Sequence, residues 1–210
     1  MSVVVPAITA AILGGSYLAQ RNGSAPTGDG TNATYRRLKD YCARNNIKVN
    51  EHSKEWFNSR GLRTYSLPYE REVAIPQGYQ DPSVLAHEIG HIKQQETTPG
   101  NTIGHAGYYS RQLGKVTSPL AALANTVLAA TGSDYKTMGM IAGANALVQA
   151  PHIANELGAS LQGALAARES GASLGEQAGA FGGVPSHLVS TLAPGVPMLV
   201  RYLYDKLKSK

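Results

Sequence analysis

The stretch DPSVLAHEIGHIKQQE, residues 81–96, leaves little conformational freedom to the segment that contains it. Asp81 can cap the free backbone donors of a helix and Pro82 suits its first turn, so a helix is predicted to run to about Glu96, before Pro99 and Gly100. On that helix His87 and His91 are four residues apart and project from one face, one turn above the other. One tetrahedral ion can bridge two imidazoles so spaced, and Glu88 can reach a water held on it. Leu85, Ala86, Ile89 and Ile92 predict a buried helix, in which imidazoles and a carboxylate need partners. Gly90 leaves the backbone between the histidines bare for close packing. A chain of 210 residues with 6 His meets the H-E-x-x-H pattern by chance roughly once in a hundred cases, so two incidental histidines explain it poorly.

The rest of the composition narrows the chemistry. A single cysteine, Cys42, rules out an intrachain disulfide and any cysteine-based metal cluster, so a metal must use His, Asp or Glu. The formal charge of +5 is mild and partly gathered in the tail RYLYDKLKSK. No dense basic stripe interleaved with aromatic residues is present, and nucleic acid is not an expected partner. Only 16% of residues are charged, with 23 Gly and 11 Pro, a small-residue-rich chain that points to apolar neighbours.

Residues 1–20 carry no charged side chain and fit a membrane anchor or a packing helix. Residues 21–33 include the linker NGSAPTGDGTN. A zincin-like domain over 34–170 is then predicted. It begins with the helical ATYRRLKDYCARNN, which puts Tyr35, Leu38, Tyr41 and Cys42 on one side and offers Asn45 or Asn46 as a C-terminal cap. IKVN, LRTYSL and EVAIP read as short strands, the last two joined by a Pro-containing turn. The predicted fold class is α+β, mostly helical, with a small antiparallel sheet before the histidine helix and Gly/Ala-rich helices after it. EVAIP is a candidate for pairing with an extended substrate. TTPGNTIGHAGYYSRQLG reads as a loop, Trp56 and Cys42 as core, and His52 and His187 carry no signal. A Gly-rich segment and a basic C-terminal helix fill 171–210, and PMLVRYLYDKLKSK alternates apolar residues with lysines as an interfacial helix does.

A third metal ligand must come from elsewhere. A His-x-x-Gly-x-x-His extension would need Gly and His at 94 and 97, where the chain has Gln94 and Thr97. A glutamate on a later helix is the alternative, and Glu156 in PHIANELGASLQGALAAR is the leading candidate. Pro151 suits a helix start or kink, and Glu156, Ala159 and Ser160 share a face. Small residues there would let this helix approach the histidine helix, and Ser160 could hydrogen-bond a ligand from behind. His152, His105, Glu96 and Asp134 stay open as ligands. His152, one turn before Glu156, also fits an outer position. His105 is placed where a transition-state donor could sit.

LAHEIGHIKQ, two small-residue apolar segments and then E-L-G-A-S together resemble the neutral zinc metallopeptidases of the YugP type, a membrane-associated gluzincin group with H-E-x-G-H-x-x-Q followed by E-x-x-A-S. The resemblance spans roughly residues 60–170 and rests on His87, Glu88, Gly90, His91, Gln94, Glu156, Ala159 and Ser160. It implies Zn2+ held by His87, His91 and Glu156, with Glu88 as the catalytic group. Gly158 departs from the acidic residue expected between the glutamate and Ala-Ser.

The expected function is thus zinc-dependent hydrolysis of peptide bonds in a peptide or protein substrate, with metal-activated water and Glu88 as general base. The alternative is a structural or membrane-active component of a virus particle or envelope assembly, built on a zincin-like core. Membrane association and self-assembly are the corresponding partner expectations, and the expected location is at a membrane, with a virion as the alternative.

Overall fold

The computed structural model describes residues 33–60, 64–182 and 184–208; the anchor or packing helix expected over 1–20 and the linker up to residue 32 lie outside them. Helix α1 (Ala33–Arg44) buries Tyr35, Leu38, Tyr41 and Cys42. It ends where Asn46 takes the left-handed conformation, φ 54°, so that Ile47 N–H donates to Cys42 O at 2.9 Å and Asn46 N–H to Ala43 O at 3.3 Å, a Schellman closure. The chain continues through strand β1 (Lys48–His52), the short helix α2 (Lys54–Asn58), strand β2 (Tyr65–Leu67), a 3-10 turn (Pro68–Glu70) and strand β3 (Glu72–Pro76).

The sheet differs from the antiparallel one expected. Its order is β1-β3-β2; β1 runs parallel to β3 with Val49 opposite Val73, and only β2 is antiparallel to β3, with Ser66 opposite Val73. The tight 3-10 turn joins β2 and β3 as a hairpin, whereas the longer passage through α2 brings the chain back for a parallel partner. Two corrections follow. EVAIP is the central strand, hydrogen-bonded on both sides, and cannot accept a further strand; β1 and β2 each have one neighbour among the described residues. Trp56 is half-buried, stacked on His52 with centroids 4.0 Å apart and covered by the Arg60 guanidinium at 4.1 Å, while its neighbour Phe57 is the buried residue.

Helix α3 (Pro82–Gln95) starts as the sequence dictates: Asp81 Oδ1 accepts from Ser83 N–H at 2.8 Å, with Pro82 in the first turn. The helices that follow are α4 (Thr98–Thr131), α5 (Tyr135–Glu169), α6 (Leu174–Gly179), α7 (Val184–Leu192) and α8 (Val196–Lys208). The segment TTPGNTIGHAGYYSRQLG is therefore helix, not loop. Pro99 falls in the first turn of α4, where its missing N–H costs nothing. Gly100 is required for contact, because a Cβ there would stand 1.8 Å from Gln94 O. Likewise Pro151 sits inside α5 and does not start it.

The described residues form two compact units, 33–105 with 154–185, and 106–153 with 186–208. In the first unit Leu38, Val73, Ile75, Leu85, Ile89 and Ile92 are buried with Ala166 and Ala167 in one apolar cluster. In the second, Ala129 and Met138 pack with Leu128, Met198, Val200 and Tyr204.

Within that second unit Ser110 repairs the proline in α5. Proline has no N–H and its ring crowds the preceding turn, which opens the helical ladder. The Ser110 hydroxyl donates to Val148 O at 2.5 Å and accepts from His152 N–H at 3.3 Å. One side chain thus bridges Val148 O and His152 N–H across the turn that holds Pro151, and α5 continues past it.

Candidate metal centre

The histidine helix α3 and the C-terminal part of α5 meet through backbone atoms, not side chains. A Cβ on Gly90 would lie 1.8 Å from Ala159 O, and one on Gly163 would lie 2.3 Å from Ala86 O. Glycine at both positions, with Ala159 fully buried, lets α3 and the C-terminal part of α5 touch backbone to backbone. That approach carries Glu156 to the histidines.

His87 Nε2 lies 3.2 Å from Glu156 Oε2 and His91 Nε2 lies 3.7 Å from the same oxygen. The three donor atoms are all within 4.8 Å of one another. Ligands bound tetrahedrally at roughly 2.1 Å stand about 3.4 Å apart, so these residues fit a single metal ion. The two imidazole rings are nearly perpendicular, 85°, with centroids 4.9 Å apart. Glu156 is the most enclosed of the three, its side chain 7% exposed against 16% and 14% for the histidines. Two neutral imidazoles and one carboxylate are a donor set for a borderline divalent cation.

The groups behind the donors are equally ordered. Ser160 Oγ, fully buried, is 3.1 Å from His87 Nδ1; Nδ1–H donating to it leaves Nε2 to face Glu156, as a donor when the ring is protonated and as a metal ligand when it is neutral. Burial of His87 pulls its pKa down, but the Glu156 hydrogen bond and the charges of Glu88 and Glu156 outweigh it, and the net shift is upward. Glu88 is buried beside the donors, and Thr64 Oγ1 donates to its Oε1 at 2.7 Å.

Gln94, one turn beyond His91, is buried and lies where a side chain at 158 would project: a Cβ on Gly158 would meet Gln94 Nε2 at 2.7 Å. Gly158 and the buried Gln94 side chain are therefore in close contact.

The other residues singled out by sequence have partners of their own. Glu96 pairs with Arg71 at 2.6 Å and Lys93 at 2.9 Å, and Asp134 caps α5 through Thr137 N–H at 2.8 Å. His105 lies on α4, hydrogen-bonded through Nε2 to the Tyr69 hydroxyl. His152 lies on α5 one turn before Glu156, and its Nε2 is 3.2 Å from His187 Nδ1. The pairing of His187 with His152 has no sequence signal: the two are 35 residues apart on different helices, and only the tertiary fold joins them. Thr64 is the other residue the sequence did not single out, since a hydroxyl 24 residues before Glu88 matches no spacing rule.

Comparison with protein-family models, curated proteins and solved structures finds no match to this chain.

Proposed function

We propose that the chain is a zinc-dependent metallopeptidase of the gluzincin type, with His87, His91 and Glu156 holding the ion and Glu88 as general base. The observation that carries this is the convergence of Glu156 Oε2 on both histidine Nε2 atoms, at 3.2 and 3.7 Å, from a helix far along the chain. Zinc in such a set supplies a Lewis acid that polarises a carbonyl and makes water nucleophilic near neutral pH. Glu88 then takes the proton of the attacking water and hands it to the leaving amine. Ser160 fixes the His87 tautomer. Strand β2, unpaired on its outer side among the described residues, offers backbone groups to an extended peptide.

Metal analysis and hydrolysis of fluorescently labelled casein test the proposal. Wild type is expected to hold one zinc per chain, Glu156→Ala to lose it, and Glu88→Gln to keep the metal while losing hydrolysis. Stoichiometric zinc in Glu156→Ala removes Glu156 from the ligand set, and normal cleavage by Glu88→Gln removes it as the base.

The unit of residues 106–153 and 186–208 supports a second, compatible proposal: work at a lipid surface or within an envelope or virion assembly. Its polarity is inverted. Leu113, Val116, Leu120, Leu123 and Val127 form a stripe on α4 that is 53–62% exposed, whereas Ser110, Asn125, Asn145 and Gln149 are buried. The buried amides bond across helices, as in Asn125 Nδ2 to Pro194 O at 2.7 Å and to Met138 O at 3.1 Å, the packing that apolar surroundings favour. No helix among the described residues is long and apolar enough to cross a membrane. Flotation with anionic liposomes at two salt concentrations tests it, and protein left at the bottom of both gradients refutes it.

A further inference from the structure

We propose that Thr64 is the positioning residue for Glu88, holding one carboxylate oxygen so that the other is presented to the reacting water. The inference rests on the zinc-peptidase proposal and deepens it. A glutamate side chain has three rotatable bonds, and its terminal torsion is broad; burial alone leaves the carboxylate plane undetermined. A general base must aim a lone pair at the proton it removes. Here Thr64 Oγ1 donates to Glu88 Oε1 at 2.7 Å, a short charge-assisted bond that fixes the plane.

The donor stands on a firm base. Thr64 immediately precedes Tyr65, which is in register with Ala74 of the central strand, and Ala74 is buried. A hydroxyl one residue from a paired strand position holds a carboxylate more rigidly than one in the middle of a long loop. The bond also joins elements that the sequence keeps 24 residues apart, so Glu88 does not depend on its own helix for orientation. Among the described residues it is the hydrogen bond given to Glu88 by another side chain, and its donor has an isosteric replacement without the hydroxyl.

That replacement makes the test clean. Acetohydroxamate binding to the zinc-loaded protein reports the orientation of Glu88, because such a ligand passes its acidic proton to the base beside the metal. Thr64→Val is expected to keep one zinc per chain and its melting temperature, and to weaken acetohydroxamate binding about tenfold, the scale of one charge-assisted hydrogen bond. Thr64→Ser is expected to restore the affinity. In a Glu88→Gln background, itself weakened, Thr64→Val is expected to add nothing. Wild-type affinity in Thr64→Val, or an equal further loss on top of Glu88→Gln, overturns the role of Thr64 and leaves the zinc-peptidase proposal standing. A protein that takes up no zinc, or binds acetohydroxamate equally well as Glu88→Gln, overturns that proposal and this one together.

Discussion

Gly90 and Ala159 touch through backbone alone: the position of a Cβ on Gly90 is 1.8 Å from the carbonyl oxygen of Ala159. Neither helix can yield locally, since the atom in the way is backbone and Gly163 repeats the contact one turn further on against Ala86 O, 2.3 Å from its Cβ position. Gly90→Ala must therefore push α3 and α5 apart, which separates Glu156 from the histidines as well as costing packing. We expect a loss of about 3 kcal/mol in urea unfolding, the upper end for overpacking a core, and a fall in metal affinity of at least about tenfold in chelator competition, since ligands displaced by a fraction of an ångström no longer converge. A variant as stable as wild type would mean that the helices are not in backbone contact.

The distances around Glu156 make it the hinge of the site, and Glu156→Gln separates its charge from its shape. The carboxamide fits the same space but is a poor ligand for a divalent cation, so metal affinity should drop by about a hundredfold or more. Isothermal titration of metal into chelator-treated protein measures this. Because His87 also loses its anionic partner, the same variant should bind fewer protons at neutral pH.

That proton has a consequence for stability. The pKa of His87 in the folded, metal-free protein is raised against the unfolded value, the Glu156 hydrogen bond overcoming the opposing effect of burial. A group raised on folding stabilises most below its unfolded pKa and stops stabilising as pH climbs through the folded one. Metal-free protein should accordingly lose melting temperature as pH rises from about 6.5, and Glu156→Gln should flatten that dependence. Metal binding needs the neutral imidazole, so metal affinity should rise over the same range. Melting curves with and without metal between pH 6 and pH 8, on the order of one unit either side of neutrality, distinguish the two opposite slopes.

The parts legible in sequence are those written in local spacing. Asp81-Pro82 fixed the start of α3, the i, i+4 histidines fixed a shared face, and Gly90 and Ala159 pointed to a close helix contact, which Gly163 extends by a turn without having stood out in the sequence. What failed depended on partners distant in sequence. Pro99-Gly100 and Pro151 read as breaks, yet Gly100 is packed on Gln94 O and Ser110 restores the ladder at Pro151. Strand direction failed for the same reason: β1 and β3 are parallel because α2 and β2 intervene, and short apolar runs carry no mark of direction. His152 with His187, and Thr64 with Glu88, are tertiary pairs that no periodicity encodes.

Ser110 tests how much the repaired proline matters. Its removal as Ser110→Ala takes a hydrogen-bond partner from Val148 O and from the buried His152 N–H, and losing the partner of a buried polar group costs about 1–3 kcal/mol. We expect destabilisation of that size, partly recovered in Ser110→Ala with Pro151→Ala, because alanine at 151 allows the backbone to close its own bond. A double variant no better than the single one would show that Pro151 does not open the ladder. Equilibrium unfolding followed by circular dichroism gives both values.

Cys42 provides an internal reporter for the unit that carries the candidate metal centre. It is the one cysteine of the chain, 1% exposed in the cluster of Leu38, Leu85 and Ile89, and burial pushes its thiol up to about 12, against a small opposing pull from Lys39. Only the thiolate reacts with an aromatic disulfide reagent. At pH near 8 the native thiol should therefore label at least on the order of a thousandfold more slowly than an ordinary exposed cysteine, before any steric exclusion is counted. Labelling then proceeds through opening of the unit, and its rate should fall when metal is added, because metal binds the closed form and stabilises it by mass action. Glu156→Ala should abolish that metal effect while keeping a slow basal rate. Fast labelling of the native wild type would contradict the burial of α1 against α3, and a metal-independent rate in wild type would contradict coupling between the ion and this core.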